Sequence, residues 1–230
     1  IINKLHDMNF IDLFSGAGGL SEGFIKAGFN PLAHVEIDKA ACNTLRTRTA
    51  YHYLLNNDKF HYYLSYLKRD ITREKLYSLV PLKLMSSVIN MSIDSKNNNK
   101  IFKTIDKIRV NKKIDVIIGG PPCQAYSLIG RATSKESMIS DSRNYLYIEY
   151  AKYLKKYKPK YFVFENVLGL LSAKTINGDS YLNKVLSLFT SIGYTVEFNV
   201  LNASKFGVLQ NRKRIILIGR MGKQKGFYPK

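Results

Sequence analysis

Cys123 carries the sharpest chemical signal in this 230-residue chain. It closes the run Gly119-Gly120-Pro121-Pro122-Cys123, and the polar residues Gln124 and Ser127 follow. Two prolines fix φ just before the thiol, so they stiffen the loop and aim the next side chain. A thiol with a pKa near 8.5 is only a few per cent ionised at neutral pH, yet it is intrinsically a strong nucleophile. Nucleophilic addition is the chemistry this corner offers. No Cys–His pairing accompanies it: His6, His34, His52 and His61 lie well upstream in no recognisable motif. They read as structural or exposed, and a cysteine protease is disfavoured. Cys42, within Ala40-Ala41-Cys42, reads as a small core hydrophobe.

Glu165 ends the apolar run Tyr161–Phe164. Buried beside an apolar wall, its carboxyl would hold a proton near neutral pH and act as a donor. The plainer reading is a carboxylate that caps a strand or pairs with an arginine. Gln210, Arg212 and Arg214 alternate, which on an extended segment turns them to one face. Near the start, the glycines of Ser15-Gly16-Ala17-Gly18-Gly19 let a ligand approach the backbone closely. Glu36 follows Gly16 by 20 residues, a spacing at which an acid can accept hydrogen bonds from both hydroxyls of a ribose. The turn lacks the full Gly-x-Gly-x-x-Gly pattern. NAD is therefore disfavoured, and another adenosine-containing cofactor is expected.

These groups need strands and helices to place them. Phe10–Phe14 reads as a strand, Leu20, Phe24 and Ala27 as one face of a helix stopped by Gly28, and Pro31–Asp38 as a second strand. That is a βαβ unit, which builds parallel sheet with covered faces. Lys39–Ala50 reads as a helix, and Asp70 or Thr72 as the cap of another through Leu76 and Leu79, interrupted at Pro81. Ser87–Ile93 reads as a third strand, Asp94–Lys100 as a loop and Lys103–Val110 as a short helix. Ile114–Ile118, Tyr161–Phe164, Tyr194–Leu201 and Arg214–Gly219 read as further strands. Tyr147–Leu154, stopped by Pro159, and Leu182–Phe189, closed by Gly193, read as helices. Residues 128–142 are polar and Ser-rich, as a mobile loop would be. No repeat or linker divides the chain, so one α/β domain over residues 1–230 is expected. In open sheets of this kind ligands bind beyond the carboxyl ends of the strands, where each cluster above sits.

Composition narrows the function. There are 36 Lys+Arg against 17 Asp+Glu, a formal net charge of +19, which points to a polyanionic partner, most simply nucleic acid. A hydrophobic content of 45% excludes a disordered or low-complexity chain. No apolar run nears the roughly 18 residues that span a bilayer. Position 1 is Ile, and no signal-peptide pattern precedes the first motif. Two cysteines make neither a disulfide framework nor a Cys-rich zinc site. A reducing, cytoplasmic setting and no metal site are expected.

Taken in order, the motifs resemble those of the DNA (cytosine-5) methyltransferase family, bacterial restriction-modification type. Phe14-Ser15-Gly16-Ala17-Gly18-Gly19 resembles its cofactor loop and Glu36 its ribose-binding acid. Gly120-Pro121-Pro122-Cys123-Gln124 resembles its nucleophile motif and Glu165-Asn166-Val167 its catalytic-Glu motif. Asp141-Ser142-Arg143-Asn144-Tyr145-Leu146 resembles the segment that brings a Leu against the cofactor, and Gln210-Asn211-Arg212-Lys213-Arg214 its Gln-x-Arg-x-Arg motif. The resemblance runs over residues 10–219. It implies a Rossmann-like S-adenosylmethionine-dependent methyltransferase fold, with a mostly parallel sheet and helices on both faces. It also implies methyl transfer to C5 of a flipped-out cytosine in double-stranded DNA, leaving S-adenosylhomocysteine. The catalytic set implied is Cys123, Glu165, Arg212 and Arg214. The cofactor contacts implied are Phe14, Gly16, Gly18, Gly19, Leu20, Glu36, Ile37, Ser92, Ile93, Pro122 and Leu146. The 128–142 loop would close over the flipped base.

Two departures stand out. The family's third motif, an acidic residue followed by Ile, has two candidates. Asp70-Ile71 has the right letters but looks like a helix start 53 residues before Cys123, whereas Ser92-Ile93 ends a better strand 31 residues before it; Ser92-Ile93 is preferred. Family members also continue after the Gln-x-Arg-x-Arg strand into a target-recognition domain and a closing helix, and no such segment follows here. A second chain, or a missing C-terminal segment, is expected to carry them. An RNA (tRNA) cytosine methyltransferase is the alternative within the same chemistry, and a non-catalytic basic nucleic-acid-binding module the alternative outside it. Ala125-Tyr126-Ser127 after the nucleophile resembles the DNA enzymes.

Overall fold

The computed structural model describes residues 8–122, 145–175 and 177–229. They form two compact units, residues 1–113 and residues 114–230.

The first unit holds three parallel strands in the order β3-β2-β1: β1 (Asn9–Leu13), β2 (Asn30–Glu36) and β3 (Val88–Asn90). Helix α1 (Gly19–Lys26) connects β1 to β2. Its face differs in detail from the expected one: Ala27 is exposed, and Ser21 is the buried residue. Ser21 Oγ donates to Asp12 Oδ2 and lies 3.2 Å from His34 Nδ1. This buried polar trio ties the first turn of α1 to β1 and β2, and its partners offset the cost of burying an acid. Asp38 Oδ1 accepts the Ala41 N–H at 2.6 Å and so caps α2 (Lys39–Leu55), which runs five residues past the expected end at Ala50.

Three short helices follow. α3 (Phe60–Leu67) was not foreseen from sequence: Lys59 at its N-cap offers no side-chain cap, and the segment is rich in aromatics, which are weak helix formers. Packing holds it instead, with Tyr63 and Tyr66 against the cluster Ala50, Leu54 and Leu76. α4 (Arg73–Ser78) is capped by Thr72, one of the two expected candidates, and Pro81 stands before α5 (Leu82–Met85). The third strand is shorter than expected, so Ser92 and Ile93 follow it rather than end it. Asp94 accepts N–H bonds from Lys96 and Asn97 at 2.9 Å, which starts α6 (Asn98–Arg109) earlier than the loop reading allowed.

The second unit orders its strands β4-β5-β7-β6: β4 (Val116–Gly119), β5 (Tyr161–Asn166), β6 (Tyr194–Asn202) and β7 (Lys213–Met221). β4 and β5 are parallel, and β7 lies antiparallel between β5 and β6. Helix α7 (Leu146–Tyr157) ends at Lys158, which has φ 46, just before Pro159; α8 (Tyr181–Ser191) is capped by Ser180. The core is aromatic: Phe162 meets Phe189 at 4.8 Å and Tyr194 at 5.1 Å between ring centroids, and Tyr150 meets Phe164 at 5.3 Å. Burial pushes the Tyr194 phenol well above its usual pKa, and its O–H donates to the Pro159 carbonyl at 2.9 Å. No helix among the described residues is long and apolar enough to cross a membrane.

A Cβ on Gly219 would sit 1.9 Å from Phe162 Cε1. Gly219→Ala is expected to destabilise the protein by about 2 kcal/mol or more through overpacking. In a thermal melt that is a fall of roughly 4–8 °C.

Candidate active site

The residues expected to hold the cofactor gather at the carboxyl ends of β1 and β2. Phe14, with φ 57, turns the chain out of β1, and Gly16 and Gly18 follow at φ 52 and 85. Ser15 N–H donates to the Val35 carbonyl at 3.1 Å and Gly18 N–H to the Ser15 carbonyl at 2.9 Å, which closes the turn. Gly18 has two reasons to be glycine: its left-handed φ, and Leu45 Cδ2 only 2.8 Å from where a Cβ would stand. Gly16 N–H donates to Glu36 Oε2 at 2.7 Å, while Glu36 Oε1 accepts the Asp38 N–H at 2.8 Å. The loop and the acid that sequence spacing paired are thus bonded directly.

Other expected residues of this unit fall around that bond. Ile37 is 66% exposed beside Glu36. Ser92 is half-buried and Ile93 buried just past β3, whereas Asp70 is exposed between α3 and α4, at no strand end. Gly19 and Leu20 open α1. Asn90 was not singled out from sequence: its Nδ2 donates to the carbonyls of Glu36 at 3.1 Å and Ile37 at 2.7 Å, holding the acid's backbone. Its one signal is an amide side chain ending an apolar strand. Cys42 is fully buried, as expected of a core residue, and burial raises its pKa. A cavity of about 540 Å³ alongside α1 and α2 shares only Gly18 with the expected cofactor residues of this unit.

The second unit places Glu165, Arg214 and the Pro-Pro corner together. Glu165 pairs with Ile216 across the antiparallel β5–β7 ladder, so Arg214, two residues from Ile216, is its diagonal neighbour on one face. Arg214 Nε lies 2.7 Å from Glu165 Oε1, with side chains 24% and 27% exposed. Among the described residues Glu165 therefore meets an arginine, the plainer of the two readings of the sequence, and not an apolar wall. Its other oxygen, Oε2, lies 2.6 Å from where a Gly120 Cβ would be, so only glycine lets the carboxylate rest there. Asn166 Nδ2 donates to the Pro121 carbonyl at 3.3 Å and braces the corner; Pro121 is buried and Pro122 exposed.

The expected alternation of Gln210, Arg212 and Arg214 does not form. Gln210 N–H bonds back to Val208 at 2.7 Å and Arg212 N–H to Gln210 at 3.0 Å, so the backbone turns tightly and β7 begins at Lys213. Gln210 and Arg212 are exposed before the strand, and Arg214 alone joins the face. Leu146 is half-buried at the start of α7. Cys123, the 128–142 loop and the run Asp141–Asn144 lie outside the described residues.

A glycine turn after the first strand, bonded to an acid ending the second, is an arrangement that could hold a nucleotide-type cofactor on a Rossmann-like methyltransferase fold. The residues present fit such a group: Gly16 has open space at its Cβ position, and a carboxylate and an exposed apolar side chain adjoin it. The chain belongs to the C-5 cytosine-specific DNA methylase family, whose model matches residues 8–61 and 88–227. It is similar to the Type II methyltransferase M.Bpa9945I of Bacillus paralicheniformis, with 41% identity over 96% of this chain and 56% of that one. The Type II methyltransferase M1.HphI of Haemophilus parahaemolyticus is 34% identical over 93% of this chain and 46% of its own. Among solved structures, a DNA modification methyltransferase of an E. coli prophage aligns at 26% identity and TM-score 0.58, covering 93% of this chain and 47% of that one. The chain thus spans about half the length of these relatives.

Gly120→Ala must push the Glu165 carboxylate away while leaving the fold intact. Loss of the Glu165–Arg214 contact is expected to lower stability by about 1–3 kcal/mol through overpacking, read as a fall in the thermal midpoint, with circular dichroism at room temperature unchanged. An unchanged midpoint would show that the carboxylate need not rest there.

Proposed function

We propose that this chain carries the catalytic part of an S-adenosylmethionine-dependent DNA cytosine-C5 methyltransferase and that its two units act as one catalytic domain. The observation that carries the reading is the Glu165–Arg214 pair lodged over Gly120, the residue that leads into Pro121-Pro122-Cys123. When bound, S-adenosylmethionine supplies an electrophilic methyl group and leaves as S-adenosylhomocysteine. Glu36 would accept hydrogen bonds from its ribose hydroxyls, and Phe14, Gly16, Gly18, Gly19, Leu20, Ile37, Ser92 and Ile93 of the first unit would line its site.

The chain's own residues make cytosine reactive. C5 is a poor nucleophile within an aromatic ring. The Cys123 thiolate adds at C6, and electron density moves toward C5 and N3. Glu165, bringing a proton to the base, donates it toward N3 while its other oxygen accepts from the exocyclic amine, which stabilises that developing charge. Arg214 contacts O2, exchanging part of its bond to Glu165 for the base, and Arg212 supports the nucleophile's loop. Once C5 is methylated, loss of its proton expels the Cys123 thiolate. A stacked base is out of reach, so the cytosine must flip out of the duplex at a cost of a few kcal/mol.

Double-stranded DNA is the substrate in this reading, supported by the family's specificity and the net charge of +19. Target recognition is assigned to polypeptide outside these 230 residues, a continuation or a second chain; the half-length match to the relatives supports this.

The test is trapping on duplex DNA that contains 5-fluorocytosine, which cannot lose a C5 proton. With S-adenosylmethionine and any required recognition chain, a denaturation-stable protein–DNA adduct is expected. Cys123→Ala should abolish it, and Glu165→Gln should slow its formation by at least about 100-fold. An adduct that survives Cys123→Ala, or one formed on tRNA and not on DNA, would overturn the proposal.

A further inference from the structure

The second unit has a strongly charged end remote from Glu165. Lys155 and Lys156 lie in the last turn of α7, Lys158 caps it, Lys160 precedes β5, and β7 brings Arg220 opposite Tyr161. The four lysines are exposed and Arg220 is half-exposed. Residues 150–164 and 198–229 contain no Asp or Glu. Asp115, whose carbonyl accepts the Tyr161 N–H at 3.1 Å, and Glu197, which pairs with Ile218 two residues from Arg220, are carboxylates near this end; Glu197 is taken up by the N–H groups of Gly226 and Tyr228. Among the described residues no salt bridge engages Lys155, Lys158, Lys160 or Arg220, whereas Lys152, one turn back, is neutralised by Glu149 at 2.8 Å.

Cations at a helix C-terminus suit the dipole, but that accounts only for those in the last turn. Lys160 Nζ lies 5.5 Å and the Arg220 guanidinium 6.0 Å from the centre of the Tyr161 ring, and Lys156 Nζ 5.4 Å from that of Tyr157. These contacts hold flexible cations over aromatic faces. Tyr161 and Glu165 stand four positions apart on β5, about 13 Å at the rise of a strand. The patch therefore sits at the amino end of the strand whose carboxyl end holds the Glu165–Arg214 pair.

We propose that this cluster is a second phosphate-binding surface, which holds a segment of duplex DNA distinct from the one presenting the target cytosine. Duplex DNA as the occupant rests on the proposed function; the charge and the geometry do not. An enzyme holding two duplex segments passes between them without full release, which matters on long DNA and not on a short oligonucleotide.

The experiment measures binding of the full chain to a labelled duplex of unrelated sequence across a salt series. Replacing Lys155, Lys156, Lys158 and Lys160 by Gln is expected to make the log K against log salt slope shallower by about 3.6, near 0.9 for each phosphate no longer neutralised. Replacing the same four by Arg should keep the slope. Lys158→Gln/Lys160→Gln, outside the helix, should lower the slope by about half as much, and serves if the fourfold variant does not fold. Methyl transfer to a short target duplex should stay within twofold. An unchanged slope in the Gln variants overturns the proposal, as does a patch that binds phosphatidylserine vesicles while duplex binding is unaffected. A chain that fails to methylate DNA yet shows the slope change would sink the proposed function and leave the second surface standing.

Discussion

The second unit depends on the contact between Glu165 and Arg214 across β5 and β7. β7 runs antiparallel beside β5, and this alone puts a residue near the start of one strand diagonal to a residue near the end of the other. A parallel neighbour would put the arginine at the far end of the strand. The ion pair then needs room for its second carboxylate oxygen, which the missing Cβ of Gly120 supplies. Asn166 fastens the same strand end to the Pro121 carbonyl. Three strands thus meet at one point, and each tolerates little change there because the next is packed against it.

The first unit follows the same logic with different bonds. Parallel β1 and β2 bring their carboxyl ends side by side, and the Gly16 N–H closes onto Glu36. Below that bond, Asp12, Ser21 and His34 form a buried polar link between both strands and α1. The site thus rests on an anchored helix start, and Asn90 secures the acid from the third strand. Both Glu36 carboxylate oxygens thus have backbone N–H partners, from Gly16 and Asp38.

Much of this was legible in the sequence. Strands ending in Gly-rich, Pro-Pro or Glu-Asn segments announce themselves because apolar runs and turn residues act locally. Asp38, Thr72 and Ser180 cap helices for the same local reason. Helix α3 was illegible because its support comes from residues of α2 and α4, and the early start of α6 because Asp94 caps a turn that reads as a polar loop. The alternation at 210–214 misled because spacing specifies a face only where the backbone is extended, and two tight turns precede β7.

By itself the sequence determined the order of motifs, the family they mark, the Gly16-to-Glu36 spacing and the excess of positive charge. These are properties of neighbours along the chain or of its total composition. Tertiary structure alone decided that Glu165 is paired with an arginine rather than walled by apolar groups, that Gly120 makes room for its carboxylate, and that lysines of α7 gather with Arg220. Those partners are tens of residues apart, and only the order and direction of strands in the sheet bring them into reach.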